Sequence, residues 1–103
     1  MSIHLPKFPT GWHCYLLLCA DGPYYRGIAS DLNQRIRDLA SGKGAKYTKR
    51  NKPIALVWFE RCRDKKAAHS REREIKGWNH AKKAALAHSG VWVSLVRLAA
   101  DSG

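Results

Sequence analysis

The stretch Trp12-His13-Cys14-Tyr15-Leu16-Leu17-Leu18-Cys19-Ala20 constrains this chain more than any other segment. Apolar and aromatic residues stand at both odd and even positions, so both faces of an extended strand would be hydrophobic. A strand with one face in water alternates polar with apolar residues, and this run does not. It predicts a central strand covered on both sides, with the cover supplied by the rest of a 103-residue chain. A second core would leave each half too small to hold together without disulfides or metal, so one domain is expected.

The cover can be read segment by segment. Asp21-Gly22-Pro23 breaks the run and Tyr24 to Ala29 resumes as a second short strand, giving a β-hairpin. Asp31 with Gln34 has the spacing of a helix capping box, and Leu32, Ile36 and Leu39 form an apolar stripe, so a helix begins at Asp31. Ser41-Gly42-Lys43-Gly44 stops it. After Pro53, Ile54 to Phe59 is β-rich and too short for a lone helix, giving a third strand. Asp64 caps a second helix running through Lys76 and closed by Gly77. Asn79 caps a third helix ending near His88, in which Ala81, Ala84, Ala85 and Ala87 suit close packing. Val91 to Leu98 fits a strand by its β-branched residues and a helix by the spacing of Leu95, Leu98 and Ala99, and periodicity leaves both open. The expected fold is α/β, a small three-stranded antiparallel or mixed sheet flanked by helices in the order β-β-α-β-α-α. The domain is expected over 12–89, with an N-terminal extension over 1–11 and a C-terminal tail, 90–103, packed on the same domain.

Hairpin register decides which side chains share a face. A two-residue Asp21-Gly22 turn pairs Tyr15 with Ile28 and puts Tyr25 on the opposite face, whereas a three-residue Asp21-Gly22-Pro23 loop pairs Tyr15 with Ala29. Only the longer loop gives Tyr15 and Tyr25 a common face.

Nineteen Lys and Arg stand against eight Asp and Glu, a formal charge of +11, which favours a polyanionic partner such as nucleic acid. Cys14, Cys19 and Cys62 form no Cys-x-x-Cys pair, and three spaced thiols suit a reducing compartment and packed core positions. With no signal-like start and no apolar stretch near the roughly 20 residues of a membrane span, a cytoplasmic location without membrane contact is expected. The histidines and thiols lack zinc-site spacing, and the glycines around Lys43 lack the spacing of an ATP-binding loop.

The ordered set His13-Cys14-Tyr15, Asp21-Gly22, Tyr25-Arg26-Gly27, Asp31-Leu32, Arg35, Ser41-Gly42-Lys43-Gly44-Ala45-Lys46-Tyr47-Thr48 and Arg71-Glu72-Arg73-Glu74-Ile75-Lys76 resembles the small single-domain branch of the GIY-YIG nuclease superfamily. The resemblance covers about residues 12–87. It implies a metal-dependent endonuclease with Tyr15 near the attacking water, Arg35 on the phosphate, and Glu72 binding one Mg²⁺ or Mn²⁺; Glu74 is the fallback ligand, and Tyr25, which strand alternation puts on one face with Gly27, can orient water or phosphate. An ordinary tyrosine ionises near 10, so Tyr15 can act as a base only where metal or nearby cations favour the phenolate. Gly27 leaves room for close approach, and Lys43, Lys46, Tyr47, Thr48, Lys49 and Arg50 offer charge, hydroxyls and backbone amides to phosphates. Leu39 departs from the family pattern, because many relatives carry a proton-moving histidine there; His13 or a water is the substitute. The expected substrate is DNA, single-stranded or branched, read with little sequence specificity; Tyr47, Trp78 and Trp92 are the candidate stacking surfaces. No residue pattern separates DNA from RNA, and no protein partner is implied. A non-catalytic nucleic-acid-binding protein that keeps the fold is the alternative.

Overall fold

Three polar side chains start three helices in the computed structural model, which describes residues 7–41 and 52–95. Asp31 accepts from the Gln34 amide at 3.1 Å and opens α1 (Leu32–Ala40). Asp64 accepts from the Ala67 amide at 2.8 Å and opens α2 (Lys65–Lys76), while Asn79 accepts from the Lys82 amide at 2.8 Å and opens α3 (His80–His88). Each bond satisfies one of the amides that a helix start leaves without an internal partner. The Gln34 side chain does not return to its cap as a reciprocal box would require; it donates to Asp38 and accepts from Arg37.

Between these helices, β1 (His13–Cys19) pairs with β2 (Tyr24–Ala29) on one side and β3 (Pro53–Arg61) on the other. A fourth strand, β4 (Val93–Ser94), pairs with β3, so the expectation of three strands is corrected to four, in the order β2-β1-β3-β4 and antiparallel throughout. Two residues are too few to show periodicity, which is why the tail left strand and helix open. β4 is fixed from outside: the Val91 amide donates to Val57 O and the Leu95 amide to Ile54 O, each at 2.8 Å. Gly90 makes this approach feasible, because a Cβ there would run into the Val57 carbonyl. Leu98 and Ala99 lie outside the described residues.

The hairpin register also differs from both alternatives. Tyr15 pairs with Gly27, and Leu17 with Tyr25. The loop is three residues long but consists of Ala20, Asp21 and Gly22, since the Cys19 amide donates to Pro23 O at 3.0 Å and the Gly22 amide to Cys19 O at 2.9 Å. Pro23 lacks an N–H yet keeps its carbonyl, so it closes the ladder instead of sitting in the turn. A one-residue shift at each end preserves parity, and Tyr15, Tyr25 and Gly27 share one face.

His13, Cys14, Tyr15, Leu16 and Leu17 are all buried, as a strand covered on both sides requires. On one face Tyr15, Leu17 and Leu56 pack against Leu32, Ile36 and Leu39 of α1, with Phe8 and Leu95 at the margins. On the other, Cys14, Leu16, Ala55, Val57 and Cys62 pack against Ala68 and Ile75 of α2. A register shift in β3 between the partners of Leu16 and Leu17 lets the consecutive Val57 and Trp58 serve this second face. α3 has no buried residue; its contribution comes from the partly buried Leu86 and Ala87, while Ala81 and Ala85 face solvent.

The segment before β1 is tied down by Asn33. Its side-chain oxygen accepts from the Phe8 amide at 2.7 Å and its amide donates to Phe8 O at 2.9 Å, seating the Phe8 ring edge-on against Phe59. Asn33→Ala is expected to lower stability in urea unfolding by about 1–3 kcal/mol, the cost of stranding part-buried backbone groups. It should also raise hydrogen exchange at the Phe8 amide without changing that of β1.

Candidate active site

The Tyr15 ring lies across Gly27, directly opposite it on the edge strand β2. A Cβ built on Gly27 would overlap the Tyr15 hydroxyl and stand 2.5 Å from the ring carbon Cζ. The absence of a side chain at Gly27 is therefore what allows the tyrosine to project over the edge strand, and its hydroxyl occupies the space that the glycine leaves.

Arg35 comes to this place from α1, one turn beyond the cap. It is half-buried, and among the described residues no carboxylate lies within ion-pair distance of it. Asp31 serves as the helix cap and Asp38 accepts from Gln34, so both acids that could pair with Arg35 on the helix surface have other bonds. Arg35 also lines a cavity of about 400 Å³ beside β2, together with Trp12, Gln34 and Lys65.

Glu72 approaches from the opposite side of the sheet, on α2. Its side chain is 20% exposed, with Arg26 Nε 3.9 Å from one carboxylate oxygen and His69 Nδ1 4.0 Å from the other. Arg26 belongs to β2 and alternates with Tyr25 and Gly27, so it points to the α2 face while they point to the α1 face. The edge strand thus has Tyr15 and Arg35 on one side and Arg26 and Glu72 on the other. Glu74 is turned outward and bonded to Arg71 at 2.8 Å.

Electrostatically the tyrosine feels both Arg35 and Glu72. Burial pushes the Tyr15 phenol up from 10.0 to about 12; Arg35 acts in the opposite direction, and Tyr25, Cys14 and Glu72 add to the rise. Desolvation outweighs the single guanidinium, so the hydroxyl is neutral at ordinary pH. Cys14, buried behind it, is pushed up to about 12 by the same cause.

The profile of the GIY-YIG catalytic domain matches residues 11–85. A UPF0213 protein of Haloquadratum walsbyi is 41% identical over 78 residues, covering 76% of this chain and 88% of that one. A UPF0213 protein of Staphylococcus aureus is 43% identical over 72 residues, covering 70% of this chain and 88% of that one. A solution NMR structure of a UPF0213 protein from Bacillus halodurans is 40% identical, covers 73% of this chain and 80% of that one, and superposes with a TM-score of 0.47. The chain belongs to the GIY-YIG family.

In this GIY-YIG chain the two short motifs are His13-Cys14-Tyr15 and Tyr25-Arg26-Gly27, and their last and middle members do different work. His13 is fully buried, with Nδ1 2.9 Å from Gly11 O and Nε2 without a partner. Leu39, where the resemblance leads one to expect a histidine, is core. Arg26 was invisible as a site residue in the sequence because it fills the variable middle place of its motif; only strand parity, combined with α2 packing on β2, singles it out. Its Nε is buried with no hydrogen-bond partner. The loop residues Lys43, Lys46, Tyr47, Thr48, Lys49 and Arg50 lie outside the described residues. Trp78 is enclosed between Arg71, 5.5 Å from the ring centre, and Lys82, at 4.3 Å, whereas Trp92 is 62% exposed.

Two outcomes follow from the packing of Tyr15 on Gly27. Gly27→Ala is expected to cost about 1–3 kcal/mol, the usual penalty for forcing atoms into a filled space. Adding Tyr15→Leu should recover part of that loss in a double-mutant cycle, which an independent backbone effect would not allow. The second outcome concerns alkaline pH. The unfolded phenol ionises near 10.0 and the folded one near 12, so the native state holds the extra proton between these values. Its contribution to stability is complete below 10 and is lost as pH rises through 12. Tyr15→Phe should flatten the decline in unfolding free energy over that window and remove one tyrosinate absorbance step near its upper end.

Proposed function

We propose that this chain is a divalent-metal-dependent nuclease that hydrolyses DNA phosphodiester bonds, with Tyr15, Tyr25, Arg35 and Glu72 as its reaction centre. The observation that carries this reading is the convergence at Gly27: a tyrosine hydroxyl held over the edge strand, acted on by a guanidinium from α1 and a carboxylate from α2. Water attacks phosphorus in line, the bond to the leaving oxygen breaks, and that oxygen takes up a proton.

Each residue then has a definite task. The Arg35 guanidinium, without a competing carboxylate among the described residues, binds the non-bridging phosphate oxygens and stabilises the charge that builds there. The neutral Tyr15 hydroxyl orients the attacking water; it accepts a proton from it only if bound cations bring the phenol down from about 12. Tyr25, on the same face and two residues from Gly27, flanks the phosphate. Glu72 would hold the metal. Glu72 is a single part-exposed carboxylate, the kind of ligand through which a Mg²⁺ or Mn²⁺ ion would be held. Such an ion, when bound, neutralises phosphate charge and makes its bound water more acidic. Arg26, with its Nε 3.9 Å from the same carboxylate, orients Glu72 in the free protein.

The buried Leu39 and the high Tyr15 pKa favour one second reading, a protein that binds nucleic acid without cutting it. The two separate cleanly with end-labelled single-stranded, duplex and flapped DNA in Mg²⁺, Mn²⁺ or chelator. The nuclease reading expects metal-dependent cleavage that falls by about 100-fold or more in Arg35→Ala, Glu72→Ala and Tyr15→Phe, with binding largely retained. Binding without cleavage by the unaltered protein sinks it in favour of the second reading.

A further inference from the structure

The exposed face of α2 carries three of that helix's five Lys and Arg side chains and none of the four residues assigned to the reaction centre. Lys65, Lys66, His69, Ser70 and Arg73 recur at one-turn spacing along it and line a depression of about 510 Å³. From Lys65 to Arg73 the face runs about 12 Å, at 1.5 Å rise per residue. Among the described residues Lys65, Lys66 and Arg73 have no ion-pair partner. The neighbouring acids are engaged elsewhere: Asp64 caps the helix and pairs with Arg63, Glu74 holds Arg71, and Glu72 faces Arg26. The depression joins the reaction centre at two points. Lys65 also lines the cavity that holds Arg35, with its ammonium 5.7 Å from the Trp12 ring centre, and His69 lies 4.0 Å from Glu72.

We propose that this face of α2 binds the phosphate backbone of a duplex segment flanking the cleaved bond, which makes the branched member of the expected substrates the preferred one. The proposal rests on the nucleic-acid reading above and gives it a direction. Lys65 and Lys66 stand together at one end of the face and Arg73 about 10 Å further along it, so the cations can neutralise phosphates several steps apart on one strand of a duplex. Surfaces that take single strands interleave cations with aromatic rings on which bases stack. No Phe, Tyr or Trp lines this depression and its one ring, His69, lies 4.0 Å from Glu72, so the face offers backbone contacts and no run of rings on which successive bases could stack.

The test is the salt dependence of binding, followed by fluorescence anisotropy in chelator so that no cleavage intervenes. Lys66→Gln/Arg73→Gln removes two exposed cations from the face, and Lys82→Gln/Lys83→Gln removes two from α3 as a control. On a short duplex the slope of log affinity against log salt should fall by about 1.8 in the first variant, at roughly 0.9 for each phosphate no longer neutralised, and by less than about 0.5 in the control. On a single strand of equal length, where two lost contacts would by themselves lower the slope by about 1.4, the first variant should lower it by less than about 0.5. A duplex slope that changes no more than the control's, or a single-strand change of about 1.4 or more, overturns the proposal. Cleavage by the unaltered protein is scored separately: its absence alongside the expected slopes would end the nuclease reading and leave the duplex-binding face in place.

Discussion

Burial of β1 on both faces is the constraint from which the rest of the molecule follows. Five consecutive buried residues, His13 to Leu17, leave no side of this strand for water. Burying side chains the size of Leu16 and Leu17 stabilises the fold by about 1.5–3 kcal/mol each, and that gain requires a helical layer on either side. α1 supplies one layer, and α2 with part of α3 the other. The chain meets this demand with a hairpin that places β2 at the rim, where both layers end against the same strand. Residues of α1 and α2 that are distant in sequence, and on opposite sides of a sheet, then act on one hydroxyl.

Within that arrangement, desolvation and charge oppose each other. The environment that fixes the Tyr15 ring also raises its pKa, and Arg35 offsets only part of the rise. The free protein therefore holds a neutral phenol over Gly27. The other face of that rim is governed by pairing: Glu72 has Arg26 and His69 as neighbours, and Arg71, the residue before it, is held by Glu74 and Glu60 and lies 5.5 Å from the rings of both Trp58 and Trp78. That stack ties α2 to β3 and to the start of α3, and so sets the angle at which Glu72 meets β2.

Where interactions are local in sequence, they were legible. Asp31, Asp64 and Asn79 cap the helices that their positions promised, because a cap needs only an amide three residues on. The stripe Leu32, Ile36, Leu39 is buried as its spacing required. Non-local choices were not legible. Pro23 could close a ladder or sit in a turn, and the pairing partner of Cys19 decides which. The bulge that turns both Val57 and Trp58 to one face depends on a register set against β1, and β4 exists only because Val57 and Ile54 offer carbonyls to a passing chain. At the site, strand parity placed Tyr15, Tyr25 and Gly27 together, whereas the partnership of Arg26 with Glu72 joins residues of two elements and leaves no trace in either.

The two margins of the sheet are treated differently. At the β3 side the described residues lay down a strand of two, Val93 and Ser94, a short edge of the kind that discourages further pairing. At the β2 side no strand covers the margin among the described residues. An uncovered row of backbone amides and carbonyls is a template for another strand, and proteins ordinarily blunt it. Here the side chains Tyr24, Tyr25 and Arg26 stand along the margin, and the cationic helix α2 packs beside it. The positive charge proposed to meet a polyanion therefore has a second consequence, since like charge opposes the close approach of another copy at this margin.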